Sequence, residues 1–330
     1  MIKKFVPFIL VPIVFISSFI FIQGCEKGKE SSKRFKIAGI IFQEDQSFRR
    51  CLLGMKDAAK KEGVTLFEAN SDNKPDKEIQ LVNTYITRKV DAIIISPLSK
   101  KASITALKRT YDSGIKVITY NTTIEGDIPS THVGSDEADL GIKTGKAARK
   151  YIQNKLGGKA KIAILAFKSQ VPEQSEARTG GFKKELSDLE GVEIVSEQDA
   201  WLPEMAVNKM RDILTAHPDL DLIFTANEGG TVGAVMAVKN AGKPGKIPVF
   251  GIDVSTQILD FLLSENNILQ ASTGQQSYNM GFQAMESAVK LLGGGKVKRR
   301  VLLPGVLLRR EKPDSVRAYK KRLEELALRG

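Results

Sequence analysis

Apolar and polar positions follow a regular order along the chain from residue 35 onward. Short continuous runs rich in Val and Ile alternate with helical segments of roughly 10 to 15 residues. In the first half, the predicted strands are 37–42, 64–68, 92–95 and 116–120, and the predicted helices are 49–61, 77–88 and 101–112. Continuous apolar strands separated by helices are typical of βαβ units with a parallel sheet covered on both faces.

The second half of the chain repeats this pattern without sequence identity to the first. Predicted strands lie at 161–167, 192–196, 222–226, 247–252 and 268–273, and predicted helices at 141–156, 176–188, 204–216, 230–241, 255–264 and 278–292. We therefore expect an α/β protein of two doubly wound parallel-sheet lobes with a ligand cleft between them.

Residues 301–330 predict two short elements and a final helix. An edge-strand pair at 301–304 and 306–308 is interrupted by Pro304. The segment 313–330 predicts an amphipathic helix, capped by Asp314 or Ser315, whose apolar stripe we expect to dock on a lobe. A basic helix at a membrane surface or on a partner is the alternative. The stripe consists of Val316, Tyr319, Leu323 and Leu326.

The N-terminal segment has the pattern of an export signal. Lys3 and Lys4 precede a stretch at 5–22 that is almost wholly apolar, and Gly24 precedes Cys25. Residues 22–25 resemble a bacterial lipobox, which implies a signal peptide at 1–24, a lipidated Cys25 and a flexible tether up to residue 34. An uncleaved anchor helix is the alternative. Either way, the rest of the chain lies outside the cytoplasm, attached to the membrane.

Composition and charge narrow the class of function. The chain has 330 residues, 42% of them hydrophobic, which suffices for a core and for two lobes. Without Lys3 and Lys4 the charge is 48 − 38 = +10. Basic residues are interleaved with acidic ones except at 296–300 and in the tail, so we expect no nucleic-acid partner. The two cysteines are too few for a disulfide framework.

The sequence lacks the usual marks of an enzyme. His132 and His217 are far apart, no Ser or Cys has a recognisable nucleophile setting, and no glycine-rich phosphate loop or metal-ligand spacing is present. We therefore expect no enzyme, no metal and no cofactor. A site made only of carboxylates is the alternative that such patterns cannot detect.

Polar residues follow three consecutive predicted strands. Asn227, Asp253 and Gln275 stand at or near their carboxyl ends, which is where ligands sit in open α/β sheets. Arg178, in a helix after another strand, can direct its fork of donors into the same cleft. Such donors and acceptors suit a polyhydroxylated ligand. Phe48 and Trp201 can supply aromatic plates from opposite lobes.

These residues resemble the site of periplasmic sugar-binding proteins of the ribose-binding type, over essentially all of 35–310. The matches are Arg178 before a Gly-x-Gly-Phe-like turn, Asn227 at a strand end, Asp253 of Gly-x-Asp and the late Gln275. The resemblance implies a hinge of three crossovers, with lobes 35–136 plus 276–303 and 137–275 plus 304–312. It also implies a monomer that captures a small sugar or polyol for an ABC permease and its ATPase.

The same fold also serves as a ligand-loaded partner of membrane receptors or histidine kinases, and this alternative stays open. A repressor of the lactose type is excluded, because a signal segment stands where a helix-turn-helix would precede Phe35.

The first lobe resembles the family less well. Phe48 aligns with a family aromatic residue, while Asn121-Thr122 replaces Asp-Arg and Ser96 replaces an asparagine. Asn121 and Gln46 are further candidate ligand residues, but the loss of an acid and a base leaves the ligand's identity open. Structural roles are the alternatives for the second lobe: Asp253 as a helix cap, Arg178 paired with Glu173 or Glu176, Asn227 in a turn, and Trp201 in the core.

Overall fold

The computed structural model describes residues 1–5, 34–99 and 102–329. The chain divides into two units, Met1–Arg34 and Phe35–Gly330. In the first unit, residues 1–5 contain no helix or strand, and the proposed lipidation site Cys25 lies outside the described residues. Among the described helices, none combines the length and the apolar character needed to cross a bilayer.

The second unit contains twelve strands among its described residues. They are β1 Lys36–Ile41, β2 Thr65–Asn70, β3 Ala92–Ile95, β4 Lys116–Tyr120, β5 Thr131–Ser135, β6 Lys159–Ala166, β7 Gly191–Asp199, β8 Leu222–Thr225, β9 Val249–Ile252, β10 Leu269–Gly274, β11 Arg300–Leu303 and β12 Val306–Arg309. They form two six-stranded sheets, in the orders β11-β5-β4-β3-β1-β2 and β12-β10-β9-β8-β6-β7. All paired strands are parallel except β12, which runs antiparallel to β10.

Ten helices cover these sheets in the described part of the chain. They are α1 Gln46–Glu62, α2 Pro75–Thr87, α3 Ala102–Asp112, α4 Glu137–Lys155, α5 Pro172–Leu186, α6 Pro203–Ala216, α7 Glu228–Asn240, α8 Thr256–Leu263, α9 Ser277–Leu292 and α10 Pro313–Ala327. We call the lobe around β1 to β5 and β11 lobe 1, and the lobe around β6 to β10 and β12 lobe 2. The predicted fold class, two parallel-sheet α/β lobes, is confirmed.

Each sheet has an apolar core on both of its faces. In lobe 1, α1 and α9 cover one face, while α2 and α3 cover the other. In lobe 2, α4 and α5 lie on one face, and α6, α7, α8 and α10 lie on the opposite face. Burial on both faces explains why the strands appear in the sequence as continuous apolar runs instead of alternating ones.

The chain passes between the sheets three times. The crossovers follow β5, follow β10 and separate β11 from β12. The predicted segments at 301–304 and 306–308 are indeed edge strands, but they belong to different lobes and do not pair with each other. Only Pro304 and Gly305 lie between them.

Two elements differ from the sequence prediction in a way that matters for the site. β5 was not predicted, because a strand with His132 and Gly134 at its centre lacks a continuous apolar run. Helix α4 begins at Glu137 and not at 141, since Asp136 caps it by accepting a hydrogen bond from the backbone N–H of Asp139. The carboxyl end of β5 therefore leads directly into α4 at the first crossover.

Candidate functional site

Asp253 lies where β9 ends, with its backbone in the left-handed region at φ 74°. Its carboxylate accepts hydrogen bonds from the side-chain amide of Gln275 (2.8 Å) and from the guanidinium of Arg178 (3.3 Å). The backbone N–H of Glu228 donates to it as well (3.2 Å). Ser255, and not Asp253, caps α8. The carboxylate of Asp253 thus does not cap the helix that follows it, although it accepts from the first N–H of α7.

Arg178 lies in the second turn of α5 and is 3% exposed. Its Nε donates to Glu137 at 2.6 Å, and one Nη donates to the carbonyl of Ala226 at 2.9 Å and to Asp253. Burial opposes the charge, but the carboxylates of Glu137 and Asp253 outweigh it and raise the pKa of Arg178. The guanidinium is therefore charged and held in one orientation.

A chain of hydrogen bonds joins the first two crossovers through these residues. Ser135, the last residue of β5, donates to the side-chain oxygen of Gln275 at 2.8 Å. Gln275 donates to Asp253, Asp253 accepts from Arg178, and Arg178 donates to Glu137, which begins α4 two residues after Ser135. We call these five residues the hinge circuit. Through it, Arg178 and Asp253 of lobe 2 are linked to the crossover after β5 and to the crossover after β10.

Asn227 and Trp201 lie next to each other in lobe 2. The side-chain oxygen of Asn227 caps α7 by accepting from the N–H of Gly230 at 3.1 Å, and its amide donates to the carbonyl of Trp201 at 2.9 Å. Trp201 is half-buried and packs against the core beneath α4 and α5. Asn227 and Trp201 thus hold α7 and the core in place, at the same edge of lobe 2 as Arg178 and Asp253.

Phe48 and Asn121 form the corresponding edge of lobe 1. Phe48 is buried against Phe42 and Tyr120, with ring centroids 4.3 Å and 6.2 Å away. Asn121 follows β4 in the left-handed region at φ 56°, and its side chain lies 3.4 Å from the hydroxyl of Ser96. Phe48 belongs to the core of lobe 1, and only its small exposed part and Asn121 line the cavity shared with Asp253 of lobe 2.

An open cavity of about 170 Å³ brings residues of both lobes together. Of the predicted site residues, it is lined by Phe48, Asn121, Asp253 and Gln275. Its charged lining includes three residues that the sequence analysis did not single out, Asp45, Arg50 and Glu228. A neighbouring cavity of about 270 Å³ extends from Asn121 to α5.

Gln46 is placed apart from the other candidates. It is exposed at the first position of α1 and lines a different cavity, of about 230 Å³, that faces α10. Its neighbour Asp45 caps α1 through the N–H of Phe48 at 2.8 Å and lines the cleft instead. A shift of one residue at a helix start changes the face on which a side chain lies.

Glu137 is the residue of this region that sequence reasoning missed most clearly. It contributes the shortest contact to Arg178 and lines the cavity beside α5. The available signal was its position two residues after the end of β5, at the first crossover, but β5 itself was not predicted.

Nothing in the described residues favours metal or nucleophile chemistry. No cluster of three or more His, Cys, Asp or Glu side chains able to hold a metal ion occurs in 1–5, 34–99 or 102–329. Burial raises the pKa of the Cys51 thiol to about 12, so this group is not a thiolate at neutral pH.

The sequence profile of the periplasmic binding protein domain matches residues 39–296, which span most of both lobes. The chain belongs to this periplasmic binding protein family. It is 32% identical over 272 residues to the ABC transporter periplasmic-binding protein YphF of Escherichia coli, covering 80% of this chain and 82% of the relative. It is 29% identical over 252 residues to the ribose import binding protein RbsB of Bacillus subtilis, covering 76% and 79%.

A solved periplasmic binding protein has the same fold. The solute-binding protein of an ABC transporter from Actinobacillus succinogenes, with bound D-allose, superposes with a TM-score of 0.76 at 26% identity. The match covers 86% of this chain and all of the other. The chain is thus a periplasmic binding protein of the sugar-binding ABC-transporter class, not an enzyme, and its family places it outside the cytoplasm.

Proposed function

We propose that this protein captures a small sugar or polyol between its two lobes and delivers it to an ABC permease and its ATPase. The observation that carries the proposal is the hinge circuit, which places Asp253 and Gln275 on a cleft whose other wall contains Phe48 and Asn121, with the buried Arg178 holding Asp253 from behind.

Asp253 and Gln275 keep an acceptor and a donor that can bind the hydroxyl groups of a ligand. A carboxylate offers about four acceptor positions, and Asp253 uses three of them for Gln275, Arg178 and Glu228. The amide of Gln275 donates one of its two N–H groups to Asp253, so the second is available. A ligand hydroxyl, which both donates and accepts, can satisfy an acceptor and a donor of this kind at once.

The relatives point to the same class of ligand. They include ribose import binding proteins and a structure with bound D-allose. Lobe 1, however, has Asn121 and Thr122 where the ribose-binding type has an acid and a base. We therefore propose a sugar or polyol without committing to ribose.

Capture requires the lobes to close. We propose that 35–136 with 276–303 moves against 137–275 with 304–312 about the three crossovers, and that the protein acts as a monomer. Small-angle scattering with and without a saturating ligand tests this motion. Unchanged dimensions at saturation would contradict closure.

We also propose that the mature protein is held at the membrane by lipidated Cys25, with the tether up to residue 34 connecting it to lobe 1. This proposal is supported by the lipobox-like segment 22–25 and by the extracytoplasmic location of the family. Attachment would keep the protein close to its permease.

A thermal-shift screen of pentoses, hexoses and polyols tests the ligand class. A ligand present at 100 times its Kd adds about 2.7 kcal/mol to the stability of the folded protein, which raises Tm by several degrees. The matched control is Asp253→Asn, which keeps the side-chain size but removes the charge, and should lose most of the shift. If every sugar and polyol leaves Tm unchanged, the proposed ligand class is wrong.

A further inference from the structure

Helix α10 is firmly attached to lobe 2. Val316 and Leu323 are buried in the core that covers lobe 2 on the α8 side, and Tyr319 packs against the same core. The ammonium of Lys320 lies 2.6 Å from the carboxylate of Asp260 on α8. Apolar burial of this kind fixes the helix to the lobe through several side chains at once.

The far end of the same helix contacts lobe 1. The guanidinium of Arg329, two residues past the end of α10, lies 2.6 Å from the carboxylate of Asp57 on α1. The hydroxyl of Tyr278 on α9 donates to the same carboxylate at 2.6 Å. Although burial alone would raise the pKa of Asp57, these two hydrogen bonds lower it, so the group is ionised at neutral pH.

The space between these two attachments is lined by residues of both lobes. A small gap of about 40 Å³ lies between Tyr319 and Leu323 on one side and Gln275 and Gln276 of the second crossover on the other. A larger cavity between α1 and α10 is lined by Arg50 and Leu326, among others, and Leu326 is itself buried. The attachment to lobe 1 therefore consists of an ion pair with little apolar contact beside it, in contrast to the larger apolar attachment to lobe 2.

We propose that α10 is a strap between the lobes: it is fixed to lobe 2 and clipped to lobe 1 by Arg329 and Asp57. The strap runs beside the crossovers, so rotation of one lobe against the other changes the distance that it spans. The ion pair between Arg329 and Asp57 stabilises the lobe separation seen here. It must break or rearrange when the angle between the lobes changes. This role goes beyond ligand capture and holds for the ligand-free protein.

The size of the effect follows from the exposure of the clip. Arg329 is about half exposed, and an exposed ion pair shifts an equilibrium by about two- to fivefold. The minor arrangement of such a two-state protein is commonly populated at about 0.1–10%, so this factor is seen mainly as a rise of about two- to fivefold in the unclipped population.

Pulsed electron paramagnetic resonance on the ligand-free, full-length protein tests the strap. Spin labels carried by non-canonical residues at the exposed positions Asn83 of α2 and Lys239 of α7 report the distance between lobes without using cysteine. In Arg329→Ala we expect the distance distribution to broaden and the ratio of the parental peak to the remaining distances to fall by about two- to fivefold.

The matched control is Lys320→Ala. It removes one positive charge of α10 and one 2.6 Å ion pair, but the partner of Lys320, Asp260, belongs to lobe 2. We expect Lys320→Ala to keep the parental distribution, Asp57→Asn to reproduce the effect of Arg329→Ala, and Arg329→Lys to restore most of the parental peak. A parental distribution in Arg329→Ala would overturn the proposal. Equal broadening in Arg329→Ala and Lys320→Ala would overturn it too, because the cause would then be general loosening of α10.

Discussion

Arg178 donates a 2.6 Å hydrogen bond to Glu137, and this contact ties the base of the ligand cleft to the first crossover between the lobes. Arg178 belongs to α5 in lobe 2, whereas Glu137 begins α4 immediately after the chain leaves lobe 1. A ligand that changes the hydrogen bonds of Arg178 therefore also changes the contact of this residue with Glu137, the first residue of α4 after the crossover.

Arg178 and Asp253 should dominate ligand affinity. Hydrogen bonds to charged groups contribute about 1.5–3 kcal/mol, against about 1 kcal/mol for neutral ones. We expect Arg178→Ala or Asp253→Ala to weaken binding at least about tenfold, or about 1.4 kcal/mol. Asn121→Ala should cost less, while Phe48→Ala and Trp201→Ala should weaken binding by removing stacking area. Calorimetric titration with the ligand found in the screen measures all five.

Circular dichroism of the same variants separates binding from folding. Near-parental affinity in both Arg178→Ala and Asp253→Ala, with the fold intact, would remove the basis of the proposed site.

The contact between α4 and α5 should tolerate no side chain at Gly181. A Cβ there would overlap the carbonyl oxygen of Ala138 and lie 3.0 Å from the backbone nitrogen of Ile142. We expect Gly181→Ala to lower the free energy of unfolding by about 1–3 kcal/mol, as overpacking does, and to weaken binding by displacing Arg178. Urea denaturation measures the stability.

Gly180→Ala is the control for this prediction. Gly180 is in the same helix, and a Cβ added to it meets no atom within 4 Å. The substitution should leave stability unchanged or raise it by up to about 1 kcal/mol through helix propensity. If the two variants behave alike, the close approach of the helices is not what constrains this position.

His132 should make the protein less stable in mild acid. Burial and nearby Arg300 lower its pKa from 6.5 to about 4, so the unfolded chain takes up the proton more readily than the folded one. Stability is full above pH 6.5 and falls as pH decreases towards 4, by at most about 3 kcal/mol. Urea denaturation between pH 4 and 7 should show a shallower dependence of stability on pH in His132→Gln than in the parent, and an unchanged dependence would contradict this prediction.

Cys25→Ser should separate the protein from its membrane anchor. Without the thiol, no lipid can be attached, so the variant should be released or should accumulate as an unprocessed precursor. Fractionation of cells followed by mass spectrometry of the N-terminus distinguishes these outcomes. A variant that is processed and retained like the parent would show that Cys25 is not the attachment point.

Most of the architecture could be predicted because burial on both sheet faces leaves a direct pattern in the sequence. The strands of 92–95 and 116–120 were predicted at their observed bounds. β5 was missed for the opposite reason: its buried positions include Thr131, His132 and Gly134, so burial there has no apolar signature.

The candidate site was only partly predictable. Polar residues at strand ends located Asp253 and Gln275, since topology alone brings those ends together. Their partners could not be derived in this way, because Glu137 reaches Arg178 from an element whose start depends on the unpredicted β5. Gln46 illustrates the same limit, as its placement depends on the residue at which α1 begins.

The apolar stripe of α10 was visible in the sequence, and its docking on a lobe is what Val316 and Leu323 show. The second attachment left no comparable signal. A single arginine beyond the helix and an aspartate 272 positions earlier carry no periodicity that would link them.

The late position of β11 and β12 also affects how the chain is made. Residues 300–309 complete an edge of each sheet, and Met280 and Met285 of α9 fill the core of lobe 1 beside β1 and α1. A chain that leaves the ribosome N-terminus first can therefore finish neither sheet until these residues emerge. Contacts between such distant segments form slowly, so we expect both sheets to be completed late in folding.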